Sequence, residues 1–117
     1  MSERDPRVTL NQIKDAAERV QLICKENTYE ELLGDWKAVA ALERFLEIIG
    51  EGVNRLPSRI HEQHPEIPWR AIAGLRNRLI HGYDSVDHKV LWNTAKQDIP
   101  DLISKLEKIL TDFKDLT

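Results

Sequence analysis

At 117 residues the chain has the length of one domain with a real core, to which oligomerisation can add further burial. Hydrophobic residues make up 41% and charged residues 32%, with only five Gly and five Pro, a profile that fits a helical protein and argues against a sandwich, a barrel or a disordered chain. The formal net charge of −3 argues mildly against a general nucleic-acid binder, because neutralising phosphate charge supplies most non-specific affinity.

The opening Met1 to Arg7 lacks the apolar stretch of a signal peptide, so a cytoplasmic location is expected. The first helix is predicted from about Thr9, as N-cap, to Asn27. Leu10, Ile13, Ala17, Val20 and Cys24 fall on one stripe of it. Cys24 is the single cysteine, which rules out an intramolecular disulfide and suits a reducing compartment. Its place on the apolar stripe predicts a buried, inert thiol. Thr28 to Gly34 is short enough for one further turn.

A second long helix is predicted after Asp35, a good N-cap, with Val39, Leu42, Leu46, Ile49, Val53 and Leu56 as its stripe and Pro57 as its stop. The longest apolar run, Ala38 to Leu42, is five residues, far below a membrane span. Gly50 and Gly52 each cost the helix roughly 1 kcal/mol; a pair of small residues there lets another backbone approach closely. Glu43, Glu47 and Glu51 follow at i, i+4. They form either a solvated ridge or a set of partners for arginines of a second chain.

Pro57 to Pro68 is the least regular part, with one turn of helix expected around Ser58 to Gln63. His61 and His64 lie here, too few for a metal site with three or four ligands, and a solvated position or an RNA contact suits them better than zinc. Pro68 opens a third helix that runs to about Ile80 or His81. The last stretch begins near Asp87 and carries Val90, Ile99, Leu102, Leu106, Ile109 and Phe113. Pro100 interrupts it, which predicts a kink or two consecutive helices. Trp36, Trp69 and Trp92 stand near helix starts beside apolar stripes and are expected mainly to pack. The whole is an all-α bundle of four to five helices with short connections.

Charge is unevenly spread. Between Gly52 and Tyr83 stand Arg55, Arg59, Arg70, Arg76 and Arg78 against only Glu62 and Glu66, and no lysine occurs between Lys37 and Lys89. Arginine pairs bidentately with phosphate, whereas lysine is a hydrated point charge. On the third helix Ile72, Leu75 and Leu79 form the core stripe, while Asn77 and Arg78 precede His81 by four and three residues and share its flank. Arg76 lies about 140° from His81 on an unbroken helix. Two arrangements bring them together: a helix end at Gly82, the common glycine terminator, or a site assembled from two chains. Ala73, Asn77 and Ile80 make a stripe roughly opposite the core, suited to a second packing surface, and a symmetric dimer with its site at the seam follows. At a helix C-terminus the dipole favours the imidazolium of His81, while Arg76 and Arg78 oppose it. That balance keeps the histidine near neutrality, where a general acid or base is useful. Arg76 can stabilise charge building on a phosphorane, and in RNA the 2′-hydroxyl can be the nucleophile, so neither metal nor cofactor is needed. Taken on spacing alone, Arg and His this close are mostly surface neighbours.

The segment Arg76-Asn77-Arg78-Leu79-Ile80-His81-Gly82-Tyr83 resembles the signature of HEPN ribonucleases, in which Arg and a polar residue precede His and Tyr. Phe45 to Glu51, Ile67-Pro68-Trp69, Ile72 to Asn77 and Val86-Asp87 to Trp92 resemble the HepT-like toxin subfamily. The likeness extends from about Asp5 to Phe113, within a single domain taken as residues 1–117. Glu51-Gly52 departs from it, standing where relatives often have Glu-Ala. The resemblance implies a HEPN-type helical bundle that dimerises around a shared cleft and acts as a metal-independent endoribonuclease toxin, paired with a nucleotidyltransferase antitoxin. It implies catalytic roles for Arg76 and His81, support or RNA contact from Asn77 and Arg78, and attachment of AMP by the antitoxin at Tyr83. The alternative is a catalytically silent partner that serves the nucleotidyltransferase only as AMP acceptor; a nucleotide-binding scaffold without chemistry is a third.

Overall fold

The computed structural model describes residues 5–81 and 88–115, and for 76–81, 114 and 115 the backbone alone. Seven helices and no strand occur among the described residues: α1 Pro6–Glu26, α2 Tyr29–Leu33, α3 Trp36–Arg55, α4 Ser58–Gln63, α5 Trp69–His81, α6 His88–Gln97 and α7 Ile99–Asp115. Five of them make the expected all-α bundle of the HEPN type, and α2 and α4 are single-turn connectors.

Local chemistry explains the boundaries. α1 starts before Thr9, because Asp5 accepts a hydrogen bond from the Arg7 N–H at 2.9 Å and Pro6 fills the first helical position. Thr9 is therefore not the cap but a residue of the second turn, 2% exposed. Thr28 and Glu31 form a reciprocal capping box that starts α2. Asp35 Oδ1 accepts from the N–H groups of Lys37 and Ala38 and starts α3. Asp98 alone separates α6 from α7, so the expected interruption is two consecutive helices, with Pro100 in the first turn of α7, where its missing N–H costs nothing. Asp87, the expected cap of this stretch, lies outside the described residues.

α1 packs against α3, α6 and α7, and α5 packs against α3. The shared core contains Leu10, Ile13 and Val20 of α1, Leu42, Leu46 and Ile49 of α3, and Leu106 and Ile109 of α7, all essentially buried. Val39 of the predicted α3 stripe is only partly buried. Gly52 sits directly over Ile13: a Cβ there would lie 2.5 Å from Ile13 Cγ1. The close approach at this glycine is thus to a side chain of α1, not to the backbone expected from sequence. Among the described residues no helix is long and apolar enough to cross a membrane.

Candidate functional site

Arg76, Asn77, Arg78 and His81 occupy the last two turns of α5, whose backbone is helical without interruption through His81. On one continuous helix Arg76 and His81 are about 7.5 Å apart along the axis and about 140° apart around it. Asn77, Arg78 and His81 share a face in register. No break before His81 brings Arg76 round to it. Gly82, where a helix end was expected, and Tyr83 lie outside the described residues.

The start of α5 is firmly held. Trp69, its first residue, is 7% exposed and donates its indole Nε1–H to the His64 carbonyl at 2.9 Å. His61 stacks on it, with ring centroids 4.8 Å apart. The His61 Nε2 lies 3.1 Å from the Val53 carbonyl, an acceptor only, so this contact requires the proton on Nε2. Ile72 and Leu75 are buried and fix the helix's rotation. Gly74 differs from Gly52: a Cβ there would meet nothing within 4 Å.

The two loop histidines, expected from sequence to be solvated, are instead partly buried. His61 is committed to the stack, and His64 is mostly buried with Nδ1 3.5 Å from Glu66. A partner five to eight residues away is invisible to a reading of local polarity. Among the described residues, no three His, Cys, Asp or Glu side chains gather as metal ligands would. The acidic ridge of α3 has partners inside the chain. Glu43 lies 3.6 Å from Nε2 of His88, the first residue of α6, and Glu47 bonds Arg44 at 3.2 Å. Glu51 is also engaged. The Glu43–His88 link, which ties the start of α6 to α3, is a contact that sequence reasoning missed.

Of the arginine series, Arg55 donates to Gln12 at 3.4 Å, and Arg59 is engaged as well. Arg70 is exposed and has no partner among the described residues. Trp69 and Trp92 pack, but Trp36 does not: it is 75% exposed, with Lys37 Nζ 5.6 Å from its ring centroid. The Asp35 cap fixes the register of α3, and that register puts Trp36 about 120° from the Leu42–Leu46–Ile49 stripe. Cys24 is buried, as its stripe predicts; burial pushes its thiol pKa up, with Lys96 opposing weakly.

A family model described as ribonuclease HepT-like matches residues 13–109. The chain is 45% identical to "Probable ribonuclease HepT" of Thermococcus cleftensis, over 86% of this chain and 91% of the relative. It is 36% identical to "Putative RNase MJ0125" of Methanocaldococcus jannaschii, over 98% of this chain and 99% of the relative. No solved structure matches it.

Proposed function

This chain belongs to the ribonuclease HepT-like family, and from that premise we propose that it is a metal-independent endoribonuclease, the toxin of a toxin–antitoxin pair. The observation that carries the reading is the placement of Arg76 and His81 at the end of one continuous helix, anchored at its start by buried Trp69. Relatives matched over almost their full length bear ribonuclease names.

In the proposed reaction His81 accepts the proton of the substrate's 2′-hydroxyl, whose oxygen attacks the adjacent phosphorus. Arg76 stabilises the extra negative charge on the phosphorane oxygens. The bond to the 5′-oxygen then breaks, and a proton delivered by an imidazolium or by water completes the leaving group. The products are a 2′,3′-cyclic phosphate and a free 5′-hydroxyl. The nucleophile comes from RNA and the cation from arginine, so the chemistry requires no metal. Asn77 and Arg78, in register with His81, support the phosphate.

The 140° separation makes one copy of α5 a poor catalyst by itself. A homodimer resolves this, with Arg76 of one chain facing His81 of the other across a shared cleft. Tyr83 is the proposed site at which a nucleotidyltransferase antitoxin attaches AMP. A bulky anion two residues from His81 would fill the cleft and cancel its positive charge. The whole chain acts as one domain, in the cytoplasm. The test is RNA cleavage in excess chelator, comparing wild type with His81→Ala. Cleavage that is lost in the variant supports the reading; equal activity across tRNA, rRNA and mRNA refutes it.

A further inference from the structure

α5 leans on α3, but among the described residues it is not closely packed against α6 or α7. The gap is a cleft of about 400 Å³, within the range of about 300–1,000 Å³ usual for small-ligand sites. Its floor is apolar, with Ile72 and Leu75 of α5 facing Leu102 of α7, all three buried. Its rim is polar and carries Gln97, Asp98 and Lys105.

The rim charges are not equivalent. Lys105 Nζ is already committed to Asp101 at 2.8 Å and to the Glu66 carbonyl at 2.9 Å. Asp98 is exposed and has no ion-pair partner among the described residues. The mouth therefore repels phosphate and accepts N–H donors. Ala71, an exposed residue of α5, lines the cleft as well. The cleft thus combines an apolar slot with a carboxylate acceptor at its lip. A ligand that matches both is flat, has apolar faces and bears N–H donors on its edge.

We propose that this cleft holds one nucleobase of the bound RNA strand, a base with an amino group on its pairing edge: guanine, adenine or cytosine. The inference rests on the ribonuclease reading above. The base lies on the apolar floor, Asp98 accepts from its amine, and the backbone phosphates stay outside the acidic mouth. Uracil is disfavoured, because its single pairing-edge N–H is flanked by two carbonyls that the carboxylate repels. The wall of the cleft is the same helix that carries Arg76 and His81, so the selected base lies a short distance along the strand from the scissile bond.

The test uses the full chain and single-stranded oligouridylates in excess chelator, either all-uridine or carrying one guanosine, adenosine or cytidine. Alongside, the backbone amides of Ala71 and Asp98 are followed by NMR during titration with GMP, AMP, CMP and UMP. Wild type is expected to cut the amino-base oligonucleotides at least about five-fold faster than the all-uridine one, the lower end of what one good base contact supplies. Only the three amino-base nucleotides should shift the Ala71 and Asp98 amides. Asp98→Ala is expected to abolish both preferences, and Ala71→Trp, which fills the cleft from an exposed position, to abolish the shifts while the melting temperature shows the fold retained. Cleavage blind to base, with no shifts at these amides, overturns the cleft assignment and leaves the ribonuclease reading standing. Base-dependent shifts without any cleavage sink the ribonuclease reading and retain the cleft as a nucleobase site.

Discussion

The imidazole of His61 lies against the indole of Trp69, with planes 17° from parallel, and joins α4 to the first turn of the helix that carries the motif. Trp69→Ala should cost about 3–5 kcal/mol in denaturant unfolding, the usual range for a buried aromatic. Trp69→Phe keeps an aromatic ring beside His61 but loses the N–H bond to His64, and should cost about 1–2 kcal/mol. Trp36→Ala, on the same scale, should stay within about 0.5 kcal/mol of wild type, because the exposed ring covers little. If Trp36→Ala were as damaging as Trp69→Ala, the placement of α3 would be wrong.

The two glycines with opposite surroundings give a paired prediction. At Gly52 an added methyl meets Ile13, and the overpacking of about 1–3 kcal/mol outweighs the helix-propensity gain of about 1 kcal/mol. Gly52→Ala should therefore be neutral to destabilising by about 2 kcal/mol. At Gly74 nothing opposes the methyl, and Gly74→Ala should stabilise by about 0.5–1 kcal/mol in the single chain. Urea melts of the two variants, run side by side, check the order.

Cys24 gives the fold a pH dependence at the alkaline end. Its thiol pKa is raised in the folded chain, chiefly by burial. The contribution is fully present below the ordinary thiol pKa of about 8.5. It is lost as the pH climbs from there through the folded value, because the unfolded chain ionises first. Stability measured by denaturant at pH 7 and pH 9.5 should fall more for wild type than for Cys24→Val. An equal fall in both would assign the slope to other groups.

The shared-cleft proposal predicts complementation. Arg76→Ala and His81→Ala, each inactive alone, should regain activity when mixed and allowed to exchange subunits. Random pairing makes half of the dimers mixed, each with one intact site of two, so recovery should approach about a quarter of wild type. No recovery, in a mixture shown to exchange, would mean that both groups act within one chain.

Much of the fold is legible in the sequence because its punctuation is local. Asp35 as cap, Pro57 as stop, Pro68 before α5 and Pro100 as interruption all act within one turn of themselves. The misplaced start of α1 has the same origin: Thr9 is a good cap by type, but Asp5, four residues upstream and followed by Pro6, is a better one. What is not legible depends on distant partners. His61 looks like a polar loop residue until Trp69 folds over it, and Glu43 looks solvated until His88 arrives from α6. Of the candidate site, the angular relation between Arg76 and His81 is readable from spacing, and the continuous helix through His81 leaves it in place. Ala71 and Asp98, 27 positions apart in sequence, line one cleft only through tertiary packing.

Among the described residues α5 packs most closely on α3 and is tied to α4 by the His61–Trp69 stack. α1 is the hub, touching α3, α6 and α7, whereas α5 hangs on α3 like an outer blade. Amide exchange should find α1 and α3 opening only with global unfolding, and the end of α5 opening earlier, in a sub-global event. On the proposed reading, substitutions at Arg76 and His81 should abolish cleavage at little thermodynamic cost, so protein abundance would be a poor proxy for activity.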